Sequence, residues 1–201
     1  VVIKTRHVET LIDDLRLTFD NLRTYDIKLN PEKCVFGIPA GKLLGFIVSN
    51  RGIEANPSKI RALSQLAMPT ELKQVQKLAG CVAALSRFIS RLGEKALPLY
   101  RLLRCTDNFE WRDAVTAGLE EIKALLASNP ILAAPNAGEP MILYISATQQ
   151  VVSVVLIVER EQDGHKFPLQ KPVYYVSTVL TPCKSWYPHY QKIAYAVFMA
   201  S

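Results

Sequence analysis

The chain has 201 residues, 49% hydrophobic and 21% charged, the balance of a globular protein with a real core in one or two domains. No apolar run approaches the roughly 20 residues that span a bilayer, and Val1-Val2-Ile3-Lys4 is not a signal peptide; the missing initial Met reads as a fragment. The net charge of +6 is uneven, with 17 Lys+Arg against 11 Asp+Glu in residues 1–110 and 7 against 7 in residues 111–201. A basic first half suits a phosphate-backbone partner and equally suits a solvated surface. Cysteines at 34, 81, 105 and 183 form no CxxC and the three histidines are scattered, a pattern of buried reduced thiols rather than of a metal site.

Val8, Leu11, Ile12, Leu15, Phe19 and Leu22 recur at helical spacing and predict an amphipathic helix over His7–Tyr25. Asp13 and Asp14 lie on it about 100° apart, too divergent to share one metal. Leu29 to Gly37 reads as a turn into a strand, with Gly41 to Ser49 returning as its hairpin partner. Asn50-Arg51-Gly52 is a turn signal, because Asn and Gly accept positive φ at little cost. Asn56-Pro57 is a helix N-cap followed by proline at the first helical position.

Three short helices follow: one from Pro57, stopped by Pro69; one capped by Thr70, with Leu72, Val75, Leu78, Ala79, Val82 and Leu85 inside; and one over Glu94–Leu103. Cys105-Thr106-Asp107-Asn108 is a candidate boundary. Trp111–Ser128 reads as a helix with Ala114, Leu119, Ile122, Leu125 and Leu126 inside. Strands are predicted over Met141–Ala147, Val151–Val158 and Pro172–Ser177. A last helix runs over Trp186–Ala200, with Ile193, Ala194, Val197 and Phe198 as its apolar face.

Five blocks, in order along the chain, carry a specific resemblance. They are Leu29-Asn30-Pro31-Glu32-Lys33-Cys34, Leu44-Gly45-Phe46, Gly52-Ile53-Glu54-Ala55-Asn56-Pro57, Ala84-Leu85-Ser86-Arg87-Phe88-Ile89-Ser90-Arg91 and Lys171-Pro172-Val173-Tyr174-Tyr175-Val176-Ser177. Together they resemble the Pol polyprotein of gypsy-type LTR retrotransposons, especially plant ones. The resemblance implies a mixed α+β fold in three pieces. Residues 1–56 would end a reverse-transcriptase palm with a primer-grip-like hairpin. Residues 57–105 would form a helical thumb, and residues 106–201 a connector helix with a truncated RNase H-like domain of three strands and the first helix. One edge of that sheet would be exposed.

The same resemblance implies a template–primer of RNA and DNA and the rest of the polyprotein as partners, no membrane, and an intracellular setting in the cytoplasm, a virus-like particle or the nucleus. The family's polymerase aspartates, which hold Mg²⁺, would lie upstream of Val1, so no cofactor is expected in the chain itself. Leu44, Gly45 and Phe46 would form the grip; on local physics alone Gly45 is a strand kink. Lys33 would lie near nucleotide phosphates, or be a surface lysine. Lys73 with Lys77, and Arg87 with Arg91, each four apart on one helical face, would meet backbone phosphates or remain solvated. Ser146 and Gln191 stand where the RNase H acids are expected, which implies no catalytic residue in this chain and an inactive domain. The alternative is a decayed or co-opted nucleic-acid- or protein-binding module.

Overall fold

The structure is a computed structural model describing residues 3, 5, 8–104 and 110–201. Leu11–Thr24 form α1 after a 3-10 turn at Val8–Thr10. His7, assigned to this helix from sequence, lies outside the described residues, as does the boundary at Cys105–Asn108. Along α1 only Leu22 is buried, and Ile12 and Leu17 stand exposed. Asp13 and Asp14 diverge as their spacing predicts: Asp13 pairs with Arg16, and Asp14 accepts from the Thr5 hydroxyl.

The expected strand after Leu29 does not form. Asn30 accepts from the Glu32 N–H and caps a 3-10 turn at Pro31–Lys33, a local side-chain bond that competes with strand pairing. Ala40–Leu43 (β1), Phe46–Ser49 (β2) and Gly52–Ala55 (β3) make an antiparallel meander, so β1 rather than residues 31–37 is the partner of β2. Leu44 and Gly45, read as strand residues, are the two-residue turn between β1 and β2, with φ of 49° and 84°. Positive φ at both positions gives the turn whose twist matches antiparallel strands. Ile131–Leu132 (β4) completes this sheet against β3. A Cβ on Gly52 would stand 2.0 Å from the Leu132 carbonyl oxygen, so only glycine admits β4 there.

Pro57–Ser64 (α2) begins as its sequence predicts, with the Asn56 side chain accepting from the Ser58 N–H. Leu72–Ala83 (α3) buries Val75, Leu78, Ala79 and Val82, the predicted face. Its N-cap is Glu71 rather than Thr70; the Gln74 side chain accepts from the Thr70 N–H instead. The expected helix over 94–103 is two, Leu92–Lys95 (α4) and Leu97–Leu102 (α5). Asp113–Ala127 (α6) buries Val115, Gly118, Ile122 and Leu126, while Ala114 is exposed. A Cβ on Gly118 would stand 2.2 Å from the Lys95 carbonyl oxygen, so α4 and α6 touch backbone to backbone. These helices and Leu132 of β4 share one core containing Leu63, Leu78, Leu85, Ile89 and Leu126.

Met141–Ala147 (β5), Val151–Arg160 (β6) and Leu169–Val179 (β7) form the second sheet, antiparallel in the order β5-β6-β7. Pro182–Ser185 (α7) and His189–Ala200 (α8) follow. α8 packs on the face that carries Ile145, Ala147, Val152 and Val154. The opposite face meets α4, where the Ser177 hydroxyl accepts from the Gly93 N–H and shares a 2.8 Å hydrogen bond with Ser153. Cover on both faces explains why β6 buries consecutive residues, Val151 to Val154. β5 is an edge with Met141, Ile142, Leu143 and Tyr144 exposed.

Two expectations fail here. α8 buries Lys192 and Ala196, whereas Val197 and Phe198 of its predicted face are exposed. The helix meets the sheet through Lys192, Tyr195 and Ala196 instead, with the Lys192 ammonium donating to the Gln149 carbonyl at 3.1 Å. Nor is any described cysteine fully buried: Cys34 and Cys81 are half-buried free thiols and Cys183 is exposed, while Cys105 lies outside the described residues. No helix among the described residues is long and apolar enough to cross a membrane.

Candidate nucleic-acid interface

The β1–β2 turn projects Leu44 into solvent, 87% exposed. A bulky side chain at φ 49° costs free energy that packing does not return here. Beside it, Gly45 presents bare backbone, and a Cβ there would stand 2.6 Å from the Lys59 Nζ. Pairing of Phe46 with Ala55 brings the first turn of α2 alongside β2, so Lys59 reaches back over the turn. Its Nζ lies 5.5 Å from the Phe46 ring centroid, and the Arg87 guanidinium carbon 4.7 Å from the same ring. Arg87 also lies 5.6 Å from the Tyr174 ring on β7, and Phe46 meets Phe88 at 5.7 Å between centroids.

Neither Lys59 nor Arg87 pairs with a carboxylate among the described residues. Two uncompensated cations held over one aromatic ring, next to the solvent-facing turn at Leu44, make a local anion-attracting surface.

The remaining predicted residues separate. Arg87 and Arg91 do not share a helical face: α3 ends at Ala83, Arg87 sits in a 3-10 turn at Ser86–Phe88, and Arg91 has φ 53°. Arg91 is paired with Glu94, which raises its guanidinium pKa further and satisfies its charge. Lys73 and Lys77 do share the exposed side of α3, one turn apart, and Lys77 borders a shallow groove with Leu66, Pro69 and Gln74. Lys33 is exposed at the end of its 3-10 turn. Lys59 and Tyr174 were not identified from sequence. The signal for Lys59 was available, since α2 starts directly after β3 and any hairpin of β2 with β3 draws its first turn to Phe46.

Ser146 and Gln191 are both exposed. Register places Ser146 opposite Ser153, on the face that meets α4, whereas α8, which carries Gln191, packs against the other face. A hydroxyl and an amide are neutral donors and do not fit the carboxylate set that two Mg²⁺ ions require. Among the described residues no three His, Cys, Asp or Glu side chains are grouped to hold a metal.

Residues 111–201 match the RNase H-like domain found in reverse transcriptase. The whole chain aligns with the retrovirus-related Pol polyprotein from transposon 297 of Drosophila melanogaster, 26% identical over 206 residues and 18% of that protein. It aligns over 98% of its length with the Pol polyprotein from transposon opus of the same fly, 26% identical and 20% of that protein. The Tf2-3 polyprotein of Schizosaccharomyces pombe is 25% identical over 162 residues, 81% of this chain and 12% of that protein. The chain thus spans a fifth or less of these curated relatives.

Among solved structures, the foamy viral protease-reverse transcriptase in complex with an RNA/DNA hybrid superposes with a TM-score of 0.78 at 20% identity, over 98% of this chain and 26% of that one. The same enzyme in complex with dsDNA gives 0.76 at 21% identity, over 98% and 40%. The mixed α+β fold is therefore shared with a retroviral protease-reverse transcriptase. The chain is thus similar to retrotransposon Pol polyproteins, and its residues 111–201 match the RNase H-like domain found in reverse transcriptase.

Proposed function

We propose that this chain positions a template–primer of RNA and DNA without a complete catalytic site of its own, as a region of a gypsy-type reverse transcriptase. In this reading residues 1–56 end the palm, residues 57–105 are the thumb and residues 106–201 carry the RNase H-like domain. Leu44, Gly45 and Phe46 act as the grip, with Lys59 and Arg87 supplying charge. Lys73 and Lys77 contact backbone phosphates from α3. The observation that carries the reading is the pair of uncompensated cations over Phe46 beside the exposed Leu44 and the half-buried Gly45 of the turn. Contacts of backbone and cation to phosphate hold a duplex in register without reading its sequence. Ser146 and Gln191, as neutral donors, support a binding role rather than RNA hydrolysis; Mg²⁺ belongs to the polymerase aspartates of the intact family enzyme.

Fluorescence anisotropy on a labelled duplex with a recessed 3′ end tests this. Affinity falls steeply as salt rises, and Lys59→Ala lowers both the affinity and the salt slope, the slope by about one. Salt-independent binding, or an unchanged slope in Lys59→Ala, would sink the grip. An RNA–DNA hybrid incubated with Mg²⁺ stays uncut; clear cleavage would overturn the reading of Ser146 and Gln191.

A further inference from the structure

The second sheet meets the first half of the chain along β7, its end strand. The pairing of β7 with β6 slips once: Leu156 faces Tyr174 and Ile157 faces Pro172, so Val173 is left over as a bulge. A bulge bends its strand and re-aims the side chains beside it. Attachments stand on both sides of this one. Before it, the Pro172 carbonyl accepts from the Ala133 N–H at 2.7 Å, one residue past β4. After it, the Tyr174 ring meets Arg87, and Tyr175 packs against the helical core.

Arg87 needs such support. It projects from the three-residue 3-10 turn at Ser86–Phe88, and its long side chain has much rotamer freedom to lose. No carboxylate among the described residues pairs with it. Its surroundings are aromatic instead, with the guanidinium carbon 4.7 Å from the Phe46 ring centroid and 5.6 Å from that of Tyr174. The two rings come from different sheets, β2 and β7. Each ring face attracts the cation, so together they narrow the positions it can take. Lys59, by contrast, lies over Phe46 alone.

We infer that Tyr174 is a positioning residue for the nucleic-acid contact at the β1–β2 hairpin: through this ring the second sheet holds the Arg87 guanidinium over Phe46. The inference rests on the proposed role of that hairpin. It gives the RNase H-like region a task that requires no catalytic carboxylate, the orientation of a cation supplied by the other half of the chain.

Salt dependence separates positioning from contact, because a neutral residue that only touches nucleic acid releases no counterions. The full chain is titrated against the recessed-end duplex by anisotropy. Tyr174→Leu keeps apolar volume and removes the ring face. It lowers affinity roughly five-fold at low salt and the salt slope by about one, as Arg87→Ala does. Tyr174→Phe keeps the ring and retains the parent slope. In an Arg87→Ala background, Tyr174→Leu changes nothing further. An unchanged slope in Tyr174→Leu, with the slope still lowered by Lys59→Ala, overturns the inference and leaves the hairpin's role standing. Additive losses in the double variant also overturn it, since Tyr174 would then touch the duplex itself. A parent chain without salt dependence overturns both readings together.

Discussion

α3 and α8 are helices of twelve residues each, and they bury opposite kinds of side chain. α3 lies among helices whose ridges close around it, so its large apolar residues, Val75, Leu78 and Val82, go inside. α8 lies across a sheet and touches it through Lys192 and Ala196, leaving Val197 and Phe198 in solvent. The same periodic pattern therefore specifies a buried face only when the neighbour has grooves deep enough to accept it. Against the sheet, the contact stripe is Lys192, Tyr195 and Ala196, and the Lys192 ammonium is satisfied by donating to the Gln149 carbonyl.

Leu78→Ala should show the largest effect, a loss of about 2–5 kcal/mol in a denaturant melt, because the cavity opens in a closed helical core. Ala196→Leu comes next at about 1–3 kcal/mol, since no space exists between α8 and the sheet for three more carbons. If it costs nothing, α8 is not seated closely and the comparison breaks.

The third test probes how the sheet is tied down. The Arg160 guanidinium at 2.7 Å, with help from the Asn136 N–H, holds the Glu139 carboxyl down at about 2 against an ordinary 4.5. A carboxyl depressed in the folded state contributes stability that is fully present above pH 4.5 and lost as pH falls towards about 2. The urea midpoint of Glu139→Gln should lie below the parent at pH 6 and converge with it at pH 2. Parallel curves across that window would remove this clamp from the account.

Smaller effects should separate the solvent-facing residues. Leu44→Gly relieves a left-handed leucine and is expected to raise stability by up to about 1 kcal/mol, offset in part by the flexibility of glycine in the unfolded chain. Phe198→Ala should be the smallest, within about 0.5 kcal/mol, because the ring is 72% exposed. A loss as large as that of Leu78→Ala would mean that α8 has a cover in solution.

Much of the architecture was legible in the chain. Strands β5 to β7 are long, β-branched and bounded by polar turns, so their signal stands above any competitor. Asn56-Pro57 named its helix start because cap and proline act within one turn. The rest depended on partners distant in sequence. Leu44-Gly45 reads as strand by alternation, and only pairing of Leu43 with Phe46 reveals it as the turn. Arg87 and Arg91 read as one helical face because nothing in Ser86–Arg91 announces the 3-10 turn between α3 and α4. The candidate interface suffered most, since Lys59 and Tyr174 join Phe46 and Arg87 from three different elements.

The pairing of β3 with β4 has a consequence in time. Ile53 meets Leu132 about 80 residues later in the chain. On a ribosome, the β1–β3 meander emerges long before its fourth strand and must wait with one edge open while α2 to α6 are made. Gly52 keeps that berth vacant, since any side chain would block the Leu132 carbonyl. The β1–β2 hairpin is thus locked only when α6 has folded back, long after its own strands are made.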